Sequence, residues 1–398
     1  MTGPLAGIRV LDLSWAIAGP YAGLLLRDLG AEVVKVEIPG GGDVTRYVSP
    51  YYPGGLSAYF VNANRGKKAI TLNLKTAKGK DIFLRLSEVS DVVIESFRPG
   101  TMARLGLDYT ELSRRNPGLI YGALSGFGQT GPYAGRPAYD LVAQAMGGTM
   151  SVTGEEGGDP VKVGAFIGDL VASLYLVIGI LAALRERESS GRGQMVDVSM
   201  LDSQVALCLN PIAEYLATGK VPRPLGTRAL QATPFQVFRT KDSLLAILVT
   251  DERQWEQLCR AIQREDLLED PRFQNMEARN SNYQAFLAEF SPIVASRTNA
   301  EWEELLRDTE VIFCPVHSID EVVNDPQVRA REMIVQVVNE KRPEENFRVV
   351  GNPIKLSRSR DPLPVSIPEL GEHTEEILSR WLGIGQEEFI VLRQEKVV

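Results

Sequence analysis

From Gly7 to Ser125 short apolar segments alternate with longer amphipathic ones, and that alternation leaves the chain few folds to choose from. Gly7–Leu13, Ala31–Glu37, Ala69–Leu74, Asp91–Glu95 and Leu119–Ser125 read as strands, while 18–29 and 76–89 read as helices. Strands of about five to seven residues joined through helices of about a dozen predict right-handed βαβ crossovers and a parallel, doubly wound sheet. A helix over 170–186, a polar Gly-rich turn from Glu186 to Gln194 and a strand over Met195–Met200 complete this block. Gly219–Gly226, punctuated by Pro and Gly, reads as linker sequence. Beyond it, a hairpin (Phe235–Thr240 and Leu244–Val249) and charged amphipathic helices to about 310 read as a smaller α+β domain. From Pro315 onward, with a helix at 370–382, the chain either continues that domain or returns to the first. The expected fold class is α/β: a Rossmann-like, doubly wound large domain with a smaller α+β domain.

Charge narrows the functional classes. With 43 Lys and Arg against 51 Asp and Glu, net −8 over 398 residues, the chain lacks the positive excess of a nucleic-acid surface. An anionic ligand therefore has to be met by a local group of cations. The three cysteines (Cys208, Cys259, Cys314) are widely spaced and odd in number, as expected of a reducing cytoplasm without a disulfide framework. The first residues show no basic segment followed by an apolar one and a cleavage site. The apolar run 170–184 falls short of the ~20 residues that cross a bilayer, so a core helix is expected there and no membrane partner.

Most catalytic constellations fail by inventory. The first strand-to-helix turn, Asp12-Leu-Ser-Trp-Ala-Ile-Ala-Gly-Pro-Tyr21, has no closely spaced glycines on which a pyrophosphate could sit. The G-x-G-x-x-G at Gly126–Gly131 is followed by Pro132 and opens a loop instead of a helix. Two histidines, His317 and His373, give a metal centre or a Ser-His-Asp triad little to draw on, and Cys314-Pro-Val-His317 reads as loop packing; no metal is expected. The acids remain. Asp169 and Asp140 each stand before an apolar helix, where a carboxylate either caps free amides or is held ionised and aimed as a reagent. Gly164 and Gly168 leave room for a ligand beside Asp169, and the two helix junctions could face one cleft.

A set of ordered motifs now carries a resemblance: Pro4-Leu-Ala-Gly-Ile-Arg-Val-Leu-Asp-Leu13, Ala18-Gly-Pro20, Leu29-Gly-Ala-Glu-Val-Val-Lys-Val-Glu37, Tyr139-Asp140, Gly168-Asp169, Ser190-Gly-Arg-Gly-Gln194 and Gly371-Glu-His-Thr374. In order and spacing they resemble the family III CoA-transferases, from residue 4 to the last turns of the chain. The resemblance implies an acyl-CoA:carboxylate CoA-transferase in which Asp169 is the nucleophile and forms an aspartyl-CoA thioester, with Tyr139 and Asp140 as positioning groups. It implies coenzyme A contacts at Ala16, Ile17, Ala18, Leu72, Lys75, Phe97, Arg104 and Met200, with coenzyme A and acyl-CoA as substrates and no tightly bound cofactor. It further implies an interlocked homodimer, with 1–205 and 315–398 forming the large domain, 206–230 a linker and 231–314 the small domain.

The same superfamily includes 2-methylacyl-CoA racemases, but their histidine base falls where this chain has Tyr139, and a phenol with a pKa near ~10 is a poor base at neutral pH. A non-catalytic CoA-binding protein in which Asp169 only caps is the alternative from another class. Two departures stand out: Ile38 and Ser125 occupy positions where formyl-CoA transferase has cations, and the Gly-rich loop covering that enzyme's site has no counterpart near 227–235. Arg223–Arg228 resembles members acting on short dicarboxylates such as succinate and glutarate, with Arg228 the candidate partner of a distal carboxylate.

Overall fold

The computed structural model describes residues 3–338, 346–359 and 366–398, and these form two compact units. The larger comprises Met1–Ser151, Lys162–Val221 and Gln327–Val398; the smaller comprises Val152–Val161 and Pro222–Pro326.

In the larger unit the chain runs β1 (Arg9–Asp12), α1 (Ala18–Asp28), β2 (Glu32–Glu37), α2 (Ala58–Asn64), β3 (Lys68–Thr71), α3 (Ala77–Glu88), β4 (Val92–Glu95), α4 (Thr101–Leu105), α5 (Tyr109–Arg115), β5 (Ile120–Ser125), α6 (Asp140–Met146), α7 (Ile167–Ser190), β6 (Met195–Ser199), α8 (Met200–Leu207) and α9 (Leu209–Thr218). The six strands are parallel in the order β3-β2-β1-β4-β5-β6, so the doubly wound expectation holds and the topology reverses between β1 and β4. Every residue of β4 and β5 is buried, the pattern of strands covered on both faces.

Alternate residues supply two cores. Val10, Val33, Val92, Ile94, Ile120 and Leu124 pack under α1 and α7. Leu11, Val34, Val93, Tyr121 and Ala123 pack under α3 and the helix at Thr374–Leu382. Helix α7 is long and apolar enough to cross a membrane by length and composition, yet Ala172, Leu176, Ile180 and Ala183 lie in the core. Its close approach to the sheet depends on Gly179, where a Cβ would stand 2.5 Å from Val196. Within the 206–230 segment expected as linker, α9 is helical; the residues from Pro222 onward belong to the smaller unit.

The smaller unit holds the expected hairpin, β7 (Phe235–Arg239) and β8 (Leu244–Leu248), joined by a third antiparallel strand, β9 (Ile312–Pro315). Phe238, Trp255, Phe286, Phe290 and Trp302 fill its core. A further hairpin, β10 (Ile334–Val338) and β11 (Asn346–Val350), belongs to the larger unit.

Beneath the turn after β1 lies a fully buried set of charges. The Lys67 ammonium donates to Asp12 Oδ2 at 2.8 Å, the Pro20 carbonyl at 2.7 Å and Asn64 Oδ1 at 2.9 Å. Lys35 donates to the Ser14 carbonyl at 2.9 Å and pairs with Asp43 at 2.8 Å. Burial lowers the Lys67 pKa to about 8 against the pull of Asp12. The same burial acts to raise Asp12, but Lys67 and Lys35 outweigh it and hold that carboxyl below its ordinary value. Removing one member leaves a buried charge without its partner, so Lys67→Met should cost about 3–5 kcal/mol, read as a lower urea midpoint with an unchanged slope.

Candidate active site

The switch point of the sheet opens into a cleft of about 330 Å³. Its walls come from the turn after β1 (Trp15, Ala16, Ala18), the turn after β4 (Ser96–Pro99) and the approach to α6 (Arg136–Tyr139), with Asp169 on α7 and Met200 at the start of α8. A second pocket of about 240 Å³ holds Ile38, Leu72, Lys75 and Arg104. Trp15 and Phe97 line both pockets, and their rings meet edge to face at 6.1 Å between centroids. Of the residues singled out from sequence, Ala16, Ala18, Tyr139, Asp169 and Met200 thus share the first pocket, Leu72, Lys75 and Arg104 share the second, and Phe97 lies between. Ile17 faces elsewhere, into a third cavity, and Asp140 is buried below the cleft surface.

The entrance of α7 differs from the sequence reading in an instructive way. The helix starts at Ile167, so Asp169 is its third residue and does not cap it; Phe166 occupies the N-cap position without a side-chain bond. The cap comes from another helix. Gly168 N–H donates to Asp140 Oδ1 at 2.7 Å, and the second oxygen of Asp140 accepts from Gln144 Nε2 at 2.8 Å. Two fully buried glutamines complete the clamp: Gln144 Oε1 accepts from Val163 N–H at 2.9 Å, and Gln204 Nε2 donates to the Ile167 carbonyl at 3.2 Å. The helix end is satisfied from outside, and among the described residues none donates a hydrogen bond to the Asp169 carboxylate.

That lack of donors sets the acid's character. Burial, with the neighbouring charge of Asp140 added, pushes the Asp169 carboxyl up to about 7. The positive end of the α7 dipole works the other way. Asp169 is thus a carboxylate kept close to its protonation point, facing a cleft. Ser173, one turn further along, donates to the Ala18 carbonyl at 2.6 Å and ties α7 to the turn after β1. Within that turn Ala16 takes φ 62, a left-handed conformation rare outside glycine. Behind the other wall, burial pushes Glu95 up to about 7; its Oε2 accepts from Phe97 N–H at 2.7 Å and fixes the turn that brings Ser96 and Phe97 into the cleft.

The sequence profile of CoA-transferase family III matches residues 5–374. The chain belongs to CoA-transferase family III. Acetyl-CoA:oxalate CoA-transferase of Acetobacter aceti is 39% identical over 361 residues, covering 90% of this chain and 91% of the relative. Succinate–glutarate CoA-transferase of Agrobacterium fabrum is 38% identical over 389 residues, covering 94% and 95%. The solved structure of a CAIB/BAIF family protein from Brucella suis superposes with a TM-score of 0.88 at 34% identity, over 96% of this chain and 100% of that one. This protein is accordingly an enzyme, a CoA-transferase.

Sequence reading passed over several residues of this family III site. Arg98 and Arg136 bring two further cations to the first pocket, Arg136 lying 4.8 Å from the centre of the Tyr133 ring. The available signal was an Arg-Pro pair in the turn after a strand and another just ahead of Tyr139. Gln204 had none, and Gln144 had only its four-residue spacing from Asp140, because Val163 and Ile167 lie far from them in the chain. Arg228, in the smaller unit, lies 3.4 Å from the centre of the Tyr283 ring.

Asp169 has a pKa of about 7 in the folded chain against 3.8 ordinarily, so the folded state binds the proton more tightly and stability falls as pH rises between those values. Asp169→Asn removes that loss. The melting temperature should therefore gain more at about pH 8 than at about pH 5, and Asp140→Asn should lower the Asp169 midpoint in a carboxyl ¹³C titration.

Proposed function

We propose that this CoA-transferase moves coenzyme A from a donor acyl-CoA, with succinyl-CoA the first candidate, to an acceptor carboxylic acid through a thioester on Asp169. The observation that carries the reading is the Asp169 carboxylate: largely buried, free of donors among the described residues, and facing a cleft at the switch point of the sheet. The relatives named for exchange between acetyl-CoA and oxalate, and between succinate and glutarate, support the substrate class.

An Asp169 oxygen attacks the thioester carbonyl; the C–S bond breaks, giving a mixed anhydride and the coenzyme thiolate. The thiolate then attacks the aspartyl carbonyl, the anhydride C–O bond breaks, and the donor acid leaves as its carboxylate. The acceptor carboxylate attacks the aspartyl thioester, expelling the thiolate, which finally takes the acceptor's acyl group and returns Asp169 as carboxylate. Each step exchanges one acyl bond for another, so the thioester's free energy is kept as long as water is held off. A carboxylate without hydrogen-bond donors is a stronger nucleophile than a capped one.

Asp140 acts by holding the α7 entrance, and Tyr139, 77% exposed at the mouth, is placed to orient the acyl group. Lys75 and Arg104, joined by Arg98 and Arg136, are the cations for the phosphates of coenzyme A, while Ala16, Ala18, Leu72, Phe97 and Met200 line the path of the pantetheine. A homodimer is proposed as well. Helix α9 has no buried residue although Leu209, Tyr215 and Leu216 are apolar, and Leu174, Tyr175 and Ile178 of α7 are exposed, a surface suited to a second copy.

Incubation with succinyl-CoA followed by hydroxylamine should leave a hydroxamate on Asp169, found by peptide mass spectrometry. Asp169→Ala should bind coenzyme A but transfer none; retained turnover would refute the role. The rate of thioester formation should rise as pH passes about 7, since only the ionised carboxylate attacks.

A further inference from the structure

Beside the cleft lies a separate chamber of about 410 Å³ in the larger unit, walled chiefly by apolar side chains, among them Leu24, Leu25, Ala58, Ala63 and Leu170. It shares its partition with the cleft. Ala16 and Ala18 line the cleft, whereas Ile17 between them lines the chamber. On α7 the spacing is equally telling. Phe166, Asp169 and Leu170 fall three and four residues apart on one helical face; Asp169 lines the cleft, and Phe166 and Leu170 line the chamber. The Asp169 carboxylate therefore stands at the border of two compartments.

A thioester carbonyl carries two substituents, sulfur and an acyl chain, which leave the reacting carbon in different directions. With the pantetheine on the cleft side, where Arg98 and Arg136 await the phosphates, the acyl chain is directed across the border. We infer that the chamber receives the hydrocarbon chain of the acceptor acid, and that this acceptor is an aliphatic monocarboxylic acid. The inference rests on the Asp169 reading above.

The Arg65 guanidinium and the Asn62 amide on the chamber wall are already engaged. Arg65 is engaged by both oxygens of Asp28 at 2.9 and 2.7 Å and by the Val350 carbonyl at 3.3 Å. Its Nε has no partner but is itself buried beyond reach of solvent. The Asn62 amide donates to the Ala58 carbonyl at 2.9 Å. A distal carboxylate entering here would lose its water and find these cations and donors already occupied. An alkyl chain loses nothing of that kind. At about 30 Å³ for a group the size of a water molecule, the volume holds a chain of up to about a dozen carbons.

The test measures transfer from succinyl-CoA to a graded series of acids by the holoprotein. From propionate to hexanoate kcat/KM should rise about fourfold per methylene. Hexanoate should exceed adipate, its equal in carbon number, by about tenfold or more. Ala58→Phe, at a half-buried position on the chamber wall, should lower the hexanoate-to-propionate ratio at least about tenfold, with coenzyme A binding by calorimetry as the check on folding. Adipate matching hexanoate, or a ratio unmoved by Ala58→Phe, overturns the inference while transfer through Asp169 stands. A changed mass of Ala58→Phe in sedimentation would assign the chamber to a second copy of the chain and overturn it too. If no acid accepts coenzyme A and Asp169 stays unlabelled, the transfer reading fails first and takes this one with it.

Discussion

The hydrogen bond from Gly168 N–H to Asp140 is the contact on which the character of Asp169 turns. A helix start needs an acceptor for its free amides, and the nearest acid in the sequence, Asp169, would serve. Here the acceptor is lent by α6 instead. Asp169 is released from capping, loses its donors, and is left facing a cleft with a like charge behind it. Burial and that charge raise its protonation point into the neutral range. Gln144 and Gln204 are what make the arrangement rigid: each spends its amide on the α6–α7 junction, and both are fully buried. The character of this carboxylate is thus defined by bonds that its neighbours make and it does not.

The sheet supplies the second half of the site. Reversal of strand order between β1 and β4 splays their following turns apart, and the gap is where Trp15, Ala16, Ser96 and Phe97 come together. Side chains fasten both turns. That after β1 is fastened from below by Lys35 on the Ser14 carbonyl and from the side by Ser173 on the Ala18 carbonyl, and that after β4 by Glu95 on the Phe97 amide. The proposed transfer reaction accords with this arrangement, the two turns lining the cleft and α7 presenting Asp169 to it.

Much of the architecture was legible from periodicity. β1, β2, β4 and β5 fall within the expected strands, because fully buried parallel strands are short continuous apolar runs between turn signals. The errors have specific causes. The start of α7 was placed three residues late, since an Asp before an apolar run is a local cap signal, and a cap contributed by α6 leaves no local trace. Ile17 was grouped with its neighbours, but the left-handed Ala16 turns the backbone so that adjacent residues face different cavities. Helix α9 falls within the 206–230 segment expected as linker, and none of its residues is buried in the single chain. Arg98 and Arg136 belong to loops whose role depends on where the strands end.

The two sets of charges at this site differ in their contact with water, and that difference separates capture from conversion. Lys35, Lys67, Asp12 and Asp43 are sealed beneath the turn after β1, beyond the reach of dissolved ions. Lys75, Arg98, Arg104 and Arg136 are exposed, where counter-ions compete with any ligand within about 8–10 Å at physiological ionic strength. On the coenzyme A assignment proposed above, rising salt weakens the grip on the nucleotide end while the buried charges hold the turn after β1, so that ionic strength governs how often this protein is occupied and not how fast it works once full.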